Sequence, residues 1–136
     1  MVELPSTLLR HDAPPGGLAP HYDWLILDPA AYRDPGLGLW TARVQTHWRD
    51  WGGLERIELA PLPRHRRRYL DWAGPLSDRR GWVRPAGRGL VQPILWTPRR
   101  IELSLSLPTQ KNDSTRLSVS LQSLGGRWLG TVTHPS

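Results

Sequence analysis

Ile101-Glu102-Leu103-Ser104-Leu105-Ser106-Leu107, followed by Leu117-Ser118-Val119-Ser120-Leu121-Gln122, is the stretch whose reading decides the fold. Apolar residues take every second position in both runs. Successive strand side chains point to opposite faces, so each run reads as a strand with one buried and one solvated face. Pro108 to Ser114 is polar and turn-like, which makes the two runs a hairpin with a long loop. Trp128 to Thr133 follows the Gly125-Gly126 turn as a closing strand. Upstream, Leu90 to Trp96 reads as a strand interrupted by Pro93, a sign of an edge or a bulge. Gly81 to Arg84, Leu54 to Leu59, Leu39 to Val44, Tyr22 to Leu27 and Thr7 to Arg10 read as further short strands. Asp28 to Gly38 is turn-rich, with one helical turn at Ala30-Ala31-Tyr32. Fourteen Pro and thirteen Gly leave few windows in which a helix would not be penalised. Eight or nine short strands in 136 residues predict an all-β fold, a compact β-barrel with at most a helical turn or two. No repeat or internal boundary divides the chain, so residues 1–136 are expected to form one domain.

The chain has no cysteine, which excludes a disulfide scaffold, a thiol nucleophile and Cys-ligated zinc or iron–sulfur. Its start lacks the apolar core of a signal peptide, and no apolar run is long enough to cross a bilayer. A soluble, cytoplasmic protein is expected. Eighteen Lys+Arg against twelve Asp+Glu give a formal charge of +6, and all of the cations but Lys111 are Arg. The planar, permanently charged guanidinium suits phosphate, which points to nucleic acid or another phosphorylated partner, although GC-rich coding also enriches Arg. Of the eight Trp, Trp24, Trp40, Trp72, Trp82, Trp96 and Trp128 lie in apolar stretches and are expected in the core. Trp48 and Trp51, in the polar segment His47-Trp48-Arg49-Asp50-Trp51, are expected to form an exposed aromatic surface. His47 and His134 read as surface residues.

The candidate chemistry lies in His21-Tyr22-Asp23 and in His11-Asp12 upstream. On a strand His21 and Asp23 share a face, and His11 from a neighbouring strand would complete a His-Asp-His set with open positions for water or substrate. Chance proximity of polar residues near a turn is the competing reading. Arg64-His65-Arg66-Arg67-Arg68-Tyr69 is the densest charge run, and it continues into Tyr69-Leu70-Asp71-Trp72-Ala73-Gly74-Pro75-Leu76-Ser77 and Asp78-Arg79-Arg80-Gly81.

Taken together, "LLRHDA…HYD", "LGLWTARV" and "LPRHRRRYLDWAGPLSDRRGWV" resemble the 3′-phosphoesterase domain of bacterial DNA ligase D, and most of all its stand-alone single-domain relatives. The likeness runs from Leu8 to Trp96. It implies a β-barrel whose lumen holds a manganese site formed by His11, His21 and Asp23, which Zn²⁺ or Co²⁺ also suits. It implies that His65 and Tyr69 act at the scissile phosphate. The implied reaction is removal of a 3′-phosphate or 3′-ribonucleotide from DNA ends or a primer–template, in repair. A DNA ligase or polymerase would work in trans, and the chain is expected to be a monomer away from membranes.

Departures from the family pattern bear on the phosphate grip. Leu25 stands where relatives carry an arginine clamp, Ala73 where they carry glutamate, and Pro63 where an acidic residue is common. A lysine after the tryptophan strand is replaced only approximately by Arg43, and the loop Ala13 to Pro20 is longer. Arg64, Arg66, Arg79 and Arg80 stand as candidates to compensate. Three readings therefore remain: a metal-dependent 3′-phosphoesterase, a catalytically weakened or inactive metal-bearing nucleic-acid-binding module, and a hydrolase of another small phosphoester.

Overall fold

The computed structural model describes residues 2–12, 20–53, 55–76, 81–108 and 114–134. Nine strands and three short 3₁₀ turns follow one another: β1 (Leu4–Asp12), β2 (His21–Ile26), η1 (Pro29–Tyr32), β3 (Trp40–Val44), η2 (Trp48–Gly53), β4 (Arg56–Pro61), η3 (Arg67–Leu70), β5 (Gly74–Pro75), β6 (Trp82–Trp96), β7 (Arg100–Pro108), β8 (Ser114–Leu124) and β9 (Arg127–Thr133). The sheet runs β1-β2-β3-β4-β9-β8-β7-β6, and β1 pairs again with β6. All pairings are antiparallel, so eight strands close into a barrel, the architecture expected of an all-β barrel. The two-residue strand β5 adds to β6 through Gly74↔Val83 and Pro75↔Trp82.

The alternating hairpin behaves as its pattern requires. Ile101, Leu103, Leu105, Leu117, Val119 and Leu121 are all buried in the lumen, and their serine neighbours are not. The β8–β9 connection is the glycine pair Gly125 (φ +57°) and Gly126 (φ +78°), a two-residue turn with both residues at positive φ. Two separate strands were expected over 81–84 and 90–96, whereas β6 is continuous. It skips Ala86 against β1 and Ile94 against β7, so bulges accommodate Pro85, Gly87, Gly89 and Pro93 inside one strand.

Tryptophan fills the lumen, but in a different subset from the one expected. Trp24 is fully buried, donates Nε1–H to Ser6 Oγ (2.8 Å), and meets Trp40 and Trp51 edge-on at 5.5 and 5.0 Å between centroids. Trp48 and Trp51, expected outside, are 2% and 0% exposed. In a 3₁₀ turn residues three apart eclipse, so η2 turns both rings into the barrel mouth and leaves Arg49 and Asp50 in water. Trp82, expected inside, is 60% exposed at the rim, where β6 begins. Trp72 packs in a separate, smaller cluster. His134 is exposed, whereas His47 is half-buried.

That second cluster positions the site. Leu8 faces the lumen and Leu9 the outside; Trp24 and Ile26 face the lumen and Leu25 the outside. Leu9, Leu25, Leu39 and Val83 are nevertheless buried, because residues 62–76 cross the barrel's outer face as a strap and lay Tyr69, Leu70, Trp72 and Leu76 over them. Thr7 Oγ1 donates to the Leu70 carbonyl (2.8 Å) and holds the strap down.

Replacing Trp24 by Ala is expected to lower the unfolding free energy by about 3–5 kcal/mol, the usual loss for a large buried aromatic. Trp82→Ala should change it by less than about 0.5 kcal/mol. Urea unfolding of the two variants checks this, and equal losses would contradict the assignment of the core.

Candidate metal and phosphate site

His11 lies near the end of β1, His21 opens β2, and the register sets them side by side as a cross-strand pair. Both share parity with Leu9, Asp23 and Leu25, so the cluster sits on the outer face of the barrel beneath the strap. This corrects the expectation of a site in the lumen. The lumen is filled by tryptophan and aliphatic side chains, and the strap-covered face has the space beside the histidines.

His11 Nδ1 lies 3.1 Å from His21 Nε2, and His21 Nε2 lies 3.3 Å from Asp23 Oδ1. One donor atom from each of the three residues falls within 4.8 Å of the others. Separations near 3 Å are those of neighbouring ligands on one divalent ion with bonds of about 2.1 Å. Asp23 Oδ1 is buried and accepts no hydrogen bond, although its residue is only 4% exposed. Burial pushes the Asp23 carboxyl up, but the imidazoles of His21 and His65 outweigh it and hold the group well below the ordinary carboxylate range. An ionised carboxylate with one orphaned oxygen beside two imidazoles is a donor set that suits a divalent ion. Asp12, next in sequence to His11, is instead occupied by Arg10 Nε at 2.9 Å.

His65 arrives from the strap. Its carbonyl accepts from the Leu39 amide (2.8 Å), and its own amide lies 3.3 Å from Thr41 Oγ1. Gly38 makes this approach possible, since a Cβ there would lie 2.9 Å from the His65 carbonyl oxygen. His65 Nδ1–H donates to the Pro63 carbonyl (3.0 Å), and Nε2 then faces Asp23 Oδ2 at 3.4 Å. Tyr69 stands edge-on to His65 at 5.9 Å and accepts from Arg68 (3.2 Å), leaving its own hydroxyl proton to be donated.

His11, Asp23, His65 and Tyr69 line a cavity of about 450 Å³ together with Arg43, Arg64, Arg66 and Arg68, and Asp23 is its one carboxylate among the described residues. The arginines are not equivalent. Arg43 stands opposite Asp23 on β3, with its Nε buried and without an acceptor. Arg64 is committed to structure: it donates to the Gly38 carbonyl and to Asp28 Oδ2 (2.9 and 2.7 Å), while Asp28 Oδ1 caps η1. Arg66 is exposed, and Arg68 lies over Tyr69 and Trp72, at 5.1 and 5.3 Å from their ring centroids. Arg68 was not among the expected phosphate ligands. Nothing in the sequence Arg66-Arg67-Arg68 separates it from Arg67, which donates to the carbonyls of Leu37, Ala31 and Asp34 and merely pins the strap. Arg79 and Arg80 and nearly all of the 13–20 loop lie outside the described residues. Leu25, where the resemblance expected an arginine clamp, is fully buried in the second cluster and brings no charge to the cavity.

Compared with known proteins, the sequence matches no family model and no curated protein.

Gly38→Ala is expected to push the strap outward and cost about 1–3 kcal/mol, as overpacking does. Hydrogen exchange at the Leu39 amide, which donates to His65, should speed up more than exchange in β7 and β8. Unchanged protection of Leu39 would show that the strap does not depend on Gly38.

Proposed function

We propose that the chain is a metal-dependent phosphoesterase of the DNA ligase D 3′-end-processing kind, which clears a 3′-phosphate or 3′-ribonucleotide from DNA ends. The observation that carries this reading is the convergence of His11 Nδ1, His21 Nε2 and the orphaned Asp23 Oδ1 beside a cavity that also holds His65, Tyr69 and three arginines not engaged in structural ion pairs. His11, His21 and Asp23 would hold Mn²⁺, which when bound supplies charge neutralisation at a phosphoryl oxygen and orients water. Arg43, Arg66 and Arg68 grip the phosphoryl oxygens by charge and hydrogen bonds. As water oxygen adds to phosphorus, the phosphorus bond to the 3′ oxygen breaks, His65 Nε2–H gives its proton to that leaving oxygen, and the proton shed by the attacking water returns to His65 Nε2. Tyr69 donates its hydroxyl to a non-bridging oxygen, where charge develops. The Pro63 carbonyl accepts from His65 Nδ1–H and Asp23 Oδ2 lies 3.4 Å from Nε2, which together orient the ring. The product 3′-hydroxyl is the group a DNA ligase or polymerase requires.

One observation favours a second reading, a metal-bearing nucleic-acid-binding barrel without turnover: Leu25 replaces the clamp arginine and is sealed under the strap. Turnover of 3′-phosphate and 3′-ribonucleotide primer–templates in Mn²⁺ separates the two. Product that is lost in both His21→Ala and His65→Ala supports the phosphoesterase. Absence of product with intact Mn²⁺ binding selects the second reading, and turnover of small phosphomonoesters with no preference for DNA selects a different hydrolase.

Arg43→Leu should lower kcat/KM by about 100-fold, as loss of one preorganised donor does. Arg64→Leu should act mainly on stability, because its partner is Asp28. A larger catalytic loss for Arg64 than for Arg43 would reverse these roles.

A further inference from the structure

We propose that the barrel mouth is a second binding site, for a small amphipathic anion with an apolar body. A cavity of about 410 Å³ lies there among η2, the β6 bulge and the facing ends of β7 and β8, within the range of small-ligand sites. It shares none of its described lining residues with the cavity on the outer face.

Its chemistry is two-sided. Trp48, Leu107 and Leu117 form an apolar floor, while Arg49 and Arg88 give a cationic rim beside the His134 imidazole. No carboxylate is among the described residues that line it, so a cation has no partner there. An uncharged apolar molecule would leave the rim unused, and a bare polyphosphate would leave the floor unused. Trp48 Nε1 is buried and has no acceptor, although an indole N–H can only donate. Gly87 keeps the wall clear, since a Cβ there would stand 3.1 Å from the Trp48 ring.

The rim is available. Arg88 faces Asp71 at 3.4 Å, and the two side chains are 58% and 82% exposed, a contact that an incoming anion exchanges readily. Arg49 is 74% exposed and 3.9 Å from Asp50. His47 is a strut, not a ligand-binding group. Its Nε2 donates to the Ala86 carbonyl (3.1 Å), and its Nδ1 accepts from the Arg49 amide (3.0 Å), which ties η2 to the bulge and fixes where Arg49 begins.

The probe is anilinonaphthalenesulfonate, a fluorescent arylsulfonate with an apolar body and one negative charge. The folded chain, well below its unfolding transition, should bind it saturably at one site with blue-shifted emission. Combined Arg49→Glu and Arg88→Glu should weaken binding by at least about tenfold. Thr115→Trp, which fills the cavity and leaves its charge unchanged, should do the same, while His21→Ala should not. Absence of saturable binding, or equal binding by the parent and Thr115→Trp, would overturn the proposal. Weakening by Thr115→Trp without weakening by the charge change would leave an apolar site and overturn its anionic part.

Discussion

Burial of strand β2 on both of its faces is the constraint on which the rest of the structure depends. Its even residues enter the tryptophan-filled lumen, and its odd residues, His21, Asp23 and Leu25, lie under the strap. A carboxylate that is 4% exposed survives only with partners, and the strap brings one of them, His65, over the barrel wall. Closure of the barrel through β1–β6 fixes the wall, and the strap makes a site of its outer surface. Leu25 then acquires a structural meaning. It seals the strap against the barrel wall, and Arg43 on β3 is the cation that stands opposite Asp23.

Arginine in this chain divides by partner. Arg64 and Arg67 satisfy carbonyls and a buried carboxylate, and so hold the strap to the η1 loop. Arg43 and Arg68 line the cavity, where Asp23 is the one described carboxylate. A net positive sequence says nothing of this division, because it depends on contacts between residues about thirty positions apart.

The barrel was legible where burial is one-sided. The alternation that begins at Ile101, with serine on the other face, can be satisfied only by a half-buried hairpin, and the structure has one over Arg100–Pro108 and Ser114–Leu124. Where burial is two-sided the alternation vanishes. Trp24-Leu25-Ile26 is a continuous apolar run, and that run was the available signal that a second layer covers the strand. Local polarity misplaced Trp48 and Trp51; their spacing of three, not their neighbours, decides which way they face. Prolines and glycines split β6 on paper, whereas bulges absorb them in the fold. The pairing of His11 with His21 was visible as two short strands either side of a loop. The site's position on the outer face was not, because it depends on which parity of β1 and β2 the lumen takes.

Two imidazoles and one carboxylate on the outer face of the barrel are thus proposed to converge on a single divalent ion. Pulsed electron paramagnetic resonance on the Mn²⁺-loaded chain tests this most directly, by counting coupled imidazole nitrogens. Two are expected in the parent and one in either His11→Ala or His21→Ala. A bound Mn²⁺ with no coupled imidazole, or a count that neither substitution changes, would contradict the assignment.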